Sequence, residues 1–390
     1  MNLQPRPAPL AETALLAQAD ERAMPGASPA DKVGQVLSLL GGIAQVVRPG
    51  QRVLLKPNWV APFPHATTDL ALIAAVAEQV RAAGGEPFLA ESSGFEFDTA
   101  ATFALLGLEE WAAGLGLPLL NLDEGPFETV PAEMRPFDRL EIARCALEAD
   151  VVINLPRMKR HSYTRVTLGM KNLMGLLSRA SRRELHSRSL ERGIVALARL
   201  VRPALTILDG LVTTSRAVYG VTEERGIVVG GRDVVALDHY GCRLLGVEPY
   251  AIEHIWRGAS AGVGTMSYRV AGAQVHPAIV LDNAQGGGPS LYRAGFRALF
   301  AADRLYARWS GGRSLLPWAH YYLGVRPRID PARCTRCGAC AAACPAAAID
   351  VAAAKVVAER CMRVRCLRCV EACPERAIEV RGLRAGKRRG

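Results

Sequence analysis

The chain has 390 residues, half of them hydrophobic, and a formal net charge of +11 at pH 7. A chain of this length and composition is able to bury the cores of about two to three domains, which excludes an intrinsically disordered protein. It also lacks any run of about 18 uncharged apolar residues, so no membrane-spanning helix is expected.

The N-terminal segment does not have the pattern of a signal peptide. Met1 to Ala30 contains scattered acidic residues and no continuous apolar stretch, and this pattern predicts a cytoplasmic protein. In a reducing compartment, cysteines are more often metal ligands than disulfide partners. The ten cysteines of this chain therefore predict metal binding.

The first 28 residues are rich in Ala and Pro and are expected to form a flexible lead-in, 1–28. In residues 29–290, apolar strand-like runs alternate with amphipathic stretches, which predicts an α/β domain with a mostly parallel sheet. The expected strands are Arg52–Lys56, Pro87–Glu91, Val151–Leu155, Leu205–Asp209, Gly226–Gly230 and Ala278–Asp282. The expected helices are Asp31–Val47, Thr68–Ala83, Leu168–Leu177, Gly193–Val201 and Asp233–Leu245.

Residues 291–330 combine aromatic residues with arginines and are expected to form a helical connector. Helices are predicted at Leu291–Trp309 and Leu315–Leu323. We expect them to pack against the following domain, and the alternative of a helix lying on an anionic membrane surface stays open. Arg326 to Pro331 is interpreted as a linker, 331–380 as a small α+β ferredoxin-like domain, and 381–390 as an unstructured basic tail.

Two cysteine runs follow this connector. In the first, Cys334, Cys337, Cys340 and Cys344 are separated by two, two and three residues, and a proline follows. This spacing is typical of bacterial ferredoxins, in which the fourth cysteine of a run binds the other cluster. The second run has cysteines at 361, 366, 369 and 373, again with a proline after the last. The chain thus contains an internal repeat.

This repeat predicts two [4Fe–4S] clusters with crossed ligation. One cluster is expected on Cys334, Cys337, Cys340 and Cys373, and the other on Cys344, Cys361, Cys366 and Cys369. Structural zinc seldom uses three such cysteines in series before a Cys-Pro pair, and disulfides need an oxidising compartment. One feature departs from the usual pattern, because four residues rather than two separate Cys361 from Cys366. Cys361 must therefore reach its cluster from a longer loop.

The remaining cysteines, Cys145 and Cys242, lie on apolar patterns and are interpreted as buried structural thiols. Residues 331–390 contain 13 Lys and Arg against 5 Asp and Glu, a local charge of +8. Two negatively charged clusters would offset part of this excess. The expected partners are a redox protein and an anionic small molecule, whereas nucleic acid is not expected.

Cations and amides follow several of the expected strands in the α/β region. Because the carboxyl ends of parallel strands share one edge of a sheet, these groups are expected to converge on an anion site. We assign binding roles to Lys56, Asn58, Lys159 and Asn172. Catalytic roles are assigned to His161, Lys171 and His186. The alternative interpretation is a set of solvated basic loops.

The same stretches resemble the DUF362 family of iron–sulfur proteins. The motifs that support the resemblance are Leu55-Lys-Pro-Asn58, Asn154-x-Pro-x-x-Lys159-x-His161 and Thr167-x-Gly-x-Lys171-Asn172-x-x-Gly175. The resemblance covers about residues 50–249 and implies the α/β architecture together with a ferredoxin module, which many members carry at one end.

Two classes of function fit these patterns. The first is an oxidoreductase whose ferredoxin domain exchanges electrons with an anionic substrate or cofactor in the α/β domain. The second is a non-catalytic electron-transfer or assembly protein whose α/β domain binds a protein or an anionic ligand. No G-x-G-x-x-G fingerprint is present, so neither an NAD nor a flavin site is expected.

Overall fold

A computed structural model describes residues 13–161, 163–215, 218, 222–272, 290–323, 326–362 and 364–381. The expected strand at 278–282 and most of the expected basic tail lie outside these residues. The chain forms two compact units. Unit 1 comprises Met1–Trp59, Pro64–Ser92 and Glu109–Ala301, and unit 2 comprises Val60–Phe63, Ser93–Leu108 and Ala302–Gly390.

The strands are numbered in chain order. Those of unit 1 are β1 Ala14–Ala19, β2 Arg52–Lys56, β3 Glu86–Glu91, β4 Leu119–Asn121, β5 Phe127–Met134, β6 Phe137–Ala143, β7 Val151–Asn154, β8 Arg157–His161, β9 Arg165–Thr167, β10 Leu205–Thr214, β11 Thr222–Gly231 and β12 Tyr268–Gly272. Those of unit 2 are β13 Arg326–Ile329, β14 Ile349–Asp350, β15 Lys355–Val356 and β16 Ile378–Arg381.

The α-helices are numbered in the same way. They are α1 Pro29–Leu39, α2 Leu70–Ala82, α3 Thr99–Leu106, α4 Leu108–Gly114, α5 Arg144–Glu148, α6 Gly169–Asn172, α7 Arg179–Arg188, α8 Leu190–Leu200, α9 Val234–Leu244, α10 Glu253–Ser260, α11 Ser290–Trp309, α12 Leu316–Leu323, α13 Ala339–Ala342, α14 Ala358–Cys361 and α15 Arg368–Glu371. No helix of the described residues is long and apolar enough to cross a membrane.

Unit 1 is built on a sheet that has ten strands within the described residues, in the order β12-β1-β11-β10-β7-β2-β3-β4, with β8 and β9 attached beside β10. Strands β10, β7, β2, β3 and β4 run parallel to one another, and β11 is antiparallel to both of its neighbours. The predicted mostly parallel α/β fold is confirmed. Its central strands are apolar and buried because helices cover both faces of such a sheet.

Local sequence signals determine where the first helices begin. Ser28 caps α1, where its Oγ accepts a hydrogen bond from the Asp31 amide at 3.1 Å and the Asp31 carboxylate accepts one from the Ser28 amide at 2.9 Å. Asp69 caps α2 by accepting from the amides of Ala71 and Leu72. Such caps satisfy amides that have no partner within the first turn of a helix.

The expected flexible lead-in is wrong for its second half. Ala14–Ala19 forms β1, which pairs antiparallel with β11 and parallel with β12. Leu16 and Ala17 of this strand are fully buried. A six-residue strand between two partners is stabilised by their hydrogen bonds and by burial, and neither of these appears as a local sequence pattern. Residues 1–12 lie outside the described part of the chain.

Unit 2 contains the cysteine runs. Its β13 pairs antiparallel with β16, and β14 pairs antiparallel with β15. The interpretation of Arg326 to Pro331 as a linker is therefore wrong for Arg326–Ile329, where the proline sits in a two-stranded sheet that has only edge strands. Tyr321 of α12 is buried in a cluster with Ala348 and Cys361. The expected packing of the connector against the ferredoxin-like domain is thus found for this face of α12.

Candidate iron–sulfur sites and a buried polar network

Two cavities of unit 2 are each lined by four cysteines. The first cavity is lined by Cys334, Cys337, Cys340 and Cys373. Three of these thiols come from the first run and one from the second. The loop that carries the first three is shaped by backbone with positive φ at Arg336 and Gly338.

The second cavity is lined by Cys344, Cys361, Cys366 and Cys369. The two cavities therefore divide the eight cysteines into the two crossed sets expected from the repeat. Cys361 ends α14 and is buried, so the longer spacing after it does not keep it away from the cavity. Two residues of the longer spacer bond back to it, since the amides of Val364 and Arg365 donate to the Cys361 carbonyl at 3.0 and 2.9 Å.

Backbone amides support one thiol in each cavity at equivalent positions of the repeat. The Ala348 amide donates to Cys344 Sγ at 3.2 Å, and the Ala377 amide donates to Cys373 Sγ at 3.2 Å. Each donor lies four residues after its cysteine. Such N–H···S bonds favour the thiolate form and raise the potential of a bound cluster.

The cavities differ in their surroundings. Cys337 of the first is exposed, whereas Cys361 and Cys369 of the second are buried. Burial raises the pKa of both buried thiols to about 12. The second cavity is also lined by the buried Arg365, whose Nη1 donates to the His320 carbonyl at 2.9 Å and whose Nη2 contacts Glu96 at 3.1 Å.

All ten cysteines are free thiols. Four thiols around one cavity match the donor set of a [4Fe–4S] cluster, in which each iron takes one cysteine sulfur. Within the described residues, no group of three or more His, Cys, Asp or Glu side chains has the geometry to hold a single metal ion. The features that match two [4Fe–4S] clusters are the two four-thiol cavities and the amides that donate to their sulfur atoms. Cys145 is partly buried and Cys242 is buried, and burial raises the pKa of both.

In unit 1 the four residues with expected binding roles meet in one hydrogen-bonded network. Lys159 Nζ donates to Asn58 Oδ1 at 2.7 Å, and Asn58 Nδ2 donates to Asn172 Oδ1 at 2.8 Å. Asn172 Nδ2 in turn donates to Asn154 Oδ1 at 2.9 Å and to the Lys56 carbonyl at 3.2 Å. The parallel alignment of β2 and β7 brings Lys56 opposite Asn154.

The two buried lysines of this network have partners inside the protein. Lys56 forms an ion pair with Glu91, and its Nζ donates to the Pro57 carbonyl at 2.8 Å. Lys159 Nζ also donates to the Ala66 carbonyl at 2.6 Å. Lys56 thus has a counter-charge inside the protein, whereas both acceptors of Lys159 are neutral oxygens. Burial, and then the nearby charge of Lys171, hold the pKa of Lys159 well below its usual range.

Gly175 closes over the Lys56–Glu91 pair. A β-carbon at this position would lie 2.5 Å from Glu91 Oε1 and 2.8 Å from Lys56 Nζ. The glycine of the Thr167–Gly175 motif is thus required by the close approach of backbone to a buried ion pair.

Two further buried carboxylates, Asp209 and Asp238, stabilise the chain segments around this network. Asp209 forms a buried ion pair with Arg157 at 2.5 Å and accepts from the amides of Asp69 and Leu211. Asp238 accepts from the amides of Gly169 and Met170 at 2.6 and 2.9 Å, at the start of α6. Burial raises the pKa of Asp238 to about 7.

The residues with expected catalytic roles are dispersed. Lys171 lies in α6 and is partly exposed, and burial lowers the pKa of its amine to about 8. It has no side-chain hydrogen bond or ion pair within the described residues. Its charge is close enough to Lys159 to depress the pKa of that residue. Lys171 therefore lies at the rim of the network.

The two histidines have structural contacts. His161 Nδ1 accepts from the amide of Tyr163 at 3.0 Å, within the turn between β8 and β9. His186 lies on α7, where its Nδ1 is 2.8 Å from the Arg182 carbonyl and its ring stacks on Phe300 at 4.5 Å. The structure does not place either ring in the hydrogen-bonded network that joins Lys159, Asn58 and Asn172.

Two regions of the chain match known protein families. Residues 53–243 match the family described as a domain of unknown function, DUF362, and residues 326–374 match a 4Fe-4S dicluster domain. The thylakoid-associated protein sll1697 of Synechocystis is 30% identical over 263 residues, which is 64% of this chain and 80% of that protein. The chain belongs to the DUF362 family. Its C-terminal region is a ferredoxin-type iron–sulfur domain.

Solved structures are more distant from this DUF362 protein. The lactate racemase apoprotein from Thermoanaerobacterium thermosaccharolyticum aligns with a TM-score of 0.41 and 15% identity, over 60% of this chain and 57% of that one. A protein from Thermotoga maritima aligns with a TM-score of 0.34 and 14% identity, over 60% of this chain and 58% of that one. The chain spans less than two thirds of either protein.

Proposed function

We propose that this DUF362 protein is an electron-transfer protein that holds two [4Fe–4S] clusters. The supporting observation is the division of eight cysteines between two cavities, four thiols to each. Cys334, Cys337, Cys340 and Cys373 hold one cluster, and Cys344, Cys361, Cys366 and Cys369 hold the other. A bound cluster supplies the capacity to accept and release one electron at a time.

The chain's own groups give the two sites different properties. The exposed Cys337 opens the first site to a redox partner, because electron exchange between proteins requires a close approach. The second site is more buried and has the cationic Arg365 in its wall. Burial disfavours the more negative reduced state of a cluster, and a neighbouring cation favours it. Because Cys337 is exposed, the first site is the one that exchanges electrons with an external partner.

The decisive experiment is metal and sulfide analysis of anaerobically purified protein. We expect about eight iron atoms and about eight acid-labile sulfides per chain, since each cluster contains four of each. Its visible absorbance should bleach with dithionite. Cys337→Ser should retain about half of the iron, because it removes one thiolate of the first site. Stoichiometric zinc without sulfide would overturn the proposal.

For unit 1 we propose that an anionic ligand binds at Lys171. The ferredoxin-type domain exchanges electrons with this ligand. Support comes from the amine itself, which is partly exposed and makes no hydrogen bond within the described residues. The full burial of Lys56 and Lys159 favours the second candidate, in which unit 1 binds an anion or a protein partner without chemistry. In either case the buried network positions α6, and Lys171 contacts the ligand.

An anion should raise the melting temperature through Lys171. Malonate at about a hundredfold excess over its Kd should stabilise the protein by about 2.7 kcal/mol, which corresponds to roughly 5 °C or more. Only the ammonium form attracts the anion, and the pKa of Lys171 is about 8. The shift should therefore be present at about pH 7 and diminish as the pH rises through about 8.

Differential scanning calorimetry of three proteins tests this prediction. Lys171→Ala should abolish the malonate effect and keep the iron content of the parent. Lys355→Ala, which removes an exposed lysine of unit 2, should respond as the parent does. An unchanged response of Lys171→Ala would remove the anion site from the proposal and leave the cluster assignment unaffected.

We propose the cytoplasm as the place where the protein works, because ten free cysteines are maintained in a reducing compartment. The name of the Synechocystis relative, thylakoid-associated protein, supports work close to a membrane. The expected redox protein would then be met at or near that surface.

A further inference from the structure

The exposed apolar side chains of the described residues are concentrated in one stretch of unit 2. Five of the eight large hydrophobic side chains that are exposed in this part of the chain lie between Leu305 and Leu323. Trp309 is 87% exposed and Trp318 is 55% exposed. Isolated exposed apolar residues are normal, whereas two tryptophans in one short stretch mark an interaction surface.

The stretch consists of the end of α11, a short turn and α12. Asp303 Oδ1 ties the two helices together by accepting from Ser314 Oγ at 2.9 Å and from the Leu315 amide at 2.6 Å. On α12, Leu316, Ala319 and Tyr321 are buried. The opposite side of each helix therefore remains uncovered by the described residues. We define the 305–323 surface by its exposed residues Leu305, Arg308, Trp309, Arg313, Trp318, Tyr322 and Leu323.

Two aromatic rings of this surface contact each other and a neighbouring arginine. Trp318 and Tyr322 lie one turn apart, with ring centroids separated by 5.2 Å. The guanidinium of Arg326 lies over the Tyr322 ring at 5.4 Å and donates to the Tyr322 carbonyl at 2.7 Å. The aromatic groups are thus presented to solvent together with cationic groups.

The charge of the stretch has a single sign. Residues 304–329 contain five arginines and no aspartate or glutamate. Asp303, directly before them, is buried and does not contribute a surface charge. Exposed aromatic side chains mixed with arginines match the boundary between lipid headgroups and acyl chains, where rings insert and cations meet phosphates.

We propose that the 305–323 surface docks the protein peripherally on an anionic lipid bilayer. Trp309, Trp318 and Leu323 insert below the headgroups, and Arg308 and Arg313 pair with lipid phosphates. This binding depends on neither the clusters nor Lys171. Its failure would therefore leave the proposed electron-transfer function intact.

Flotation of the full-length protein, purified with its iron, tests the proposal. The vesicles consist of phosphatidylcholine alone or mixed with phosphatidylglycerol. We expect co-flotation with the mixed vesicles, weaker binding to phosphatidylcholine alone and release from mixed vesicles at high salt, because salt screens the attraction. The paired change Arg308→Gln and Arg313→Gln should lower the partition coefficient on mixed vesicles about 25-fold, since each basic residue contributes about fivefold.

A second variant separates insertion from charge attraction. Trp309→Ser with Trp318→Ser should lower binding to both vesicle types by about tenfold or more, because two aromatic surfaces no longer enter the bilayer. The matched control is Tyr250→Ser, which removes an exposed aromatic ring of unit 1 and should bind as the parent does. Iron content and circular dichroism verify that each variant is folded.

Three results would overturn the lipid proposal. The first is a parent protein that does not float with the mixed vesicles, and the second is a pair of variants that float as well as the parent. The third is a stable dimer in light scattering that Trp309→Ser with Trp318→Ser dissociates, which would assign the surface to a second copy of the chain.

Discussion

Cys361→Ser should leave the purified protein with about half of its iron and sulfide, because serine does not replace the thiolate that completes the second site. Cys361 is the residue whose spacing departs from the usual ferredoxin run, yet it lines the same cavity as Cys344, Cys366 and Cys369. The electron paramagnetic resonance signal of the first site should persist after reduction. The prediction therefore tests the crossed ligand set at its least conventional member.

The controls determine whether a loss of iron is specific. Cys145→Ser removes a partly buried thiol of unit 1 and should retain the full iron content. Combining Cys361→Ser with Cys337→Ser should remove both clusters, since one thiolate is lost from each cavity. A Cys361→Ser protein that has full iron content and unchanged resonance signals would show that Cys361 is not a ligand.

Asp209→Asn should lower the free energy of unfolding by about 3–5 kcal/mol, because it leaves the buried Arg157 without a counter-charge. Arg157 Nη1 and Asp209 Oδ2 are 2.5 Å apart, and both side chains are buried. The amide group of asparagine would also turn a donor toward the Asp69 amide or the Leu211 amide, where the carboxylate accepts from both. Urea unfolding followed by circular dichroism measures the change.

A double-mutant cycle identifies the cause. Arg157→Met alone should be similarly destabilising, whereas Arg157→Met with Asp209→Leu should cost much less than the sum of the single changes, since no unpaired charge remains. Asp69→Asn is the matched control, because asparagine also caps a helix well. Additive effects in the cycle would show that the two side chains do not stabilise the fold as a pair.

Much of the α/β architecture could be predicted from the sequence because its central strands are continuous apolar runs. The limits of β2 match those expected, and those of α9 differ by one residue at each end. The β1 strand could not be predicted, because a short apolar segment becomes a strand only through its pairing with β11 and β12. The strand Arg326–Ile329 could not be predicted either, because its proline and arginines are also typical of a linker.

The sites could be predicted where the positions of the residues along the chain determine which side chains meet. The grouping of the cysteines follows from the repeat, and the convergence of Lys56, Asn58, Lys159 and Asn172 follows from the shared edge of a parallel sheet. The partners of the lysines were not predictable. Glu91 ends the strand next to Lys56, and only the register of β2 and β3 brings the two side chains together. The contacts of His161 and His186 likewise depend on a turn and on α11.

Because unit 2 is built from separate stretches of chain, replacing one stretch does not transfer the whole unit to another protein. Residues 93–108 belong to this unit, and they contribute Glu96 to the buried Arg365 and the Leu105 carbonyl to Arg368. A chimaera that imports only a foreign segment in place of residues 302–390 would therefore separate such partners. A successful transplant has to carry all three stretches of chain, because the two short ones lie within residues 60–108, far from 302–390 in the sequence.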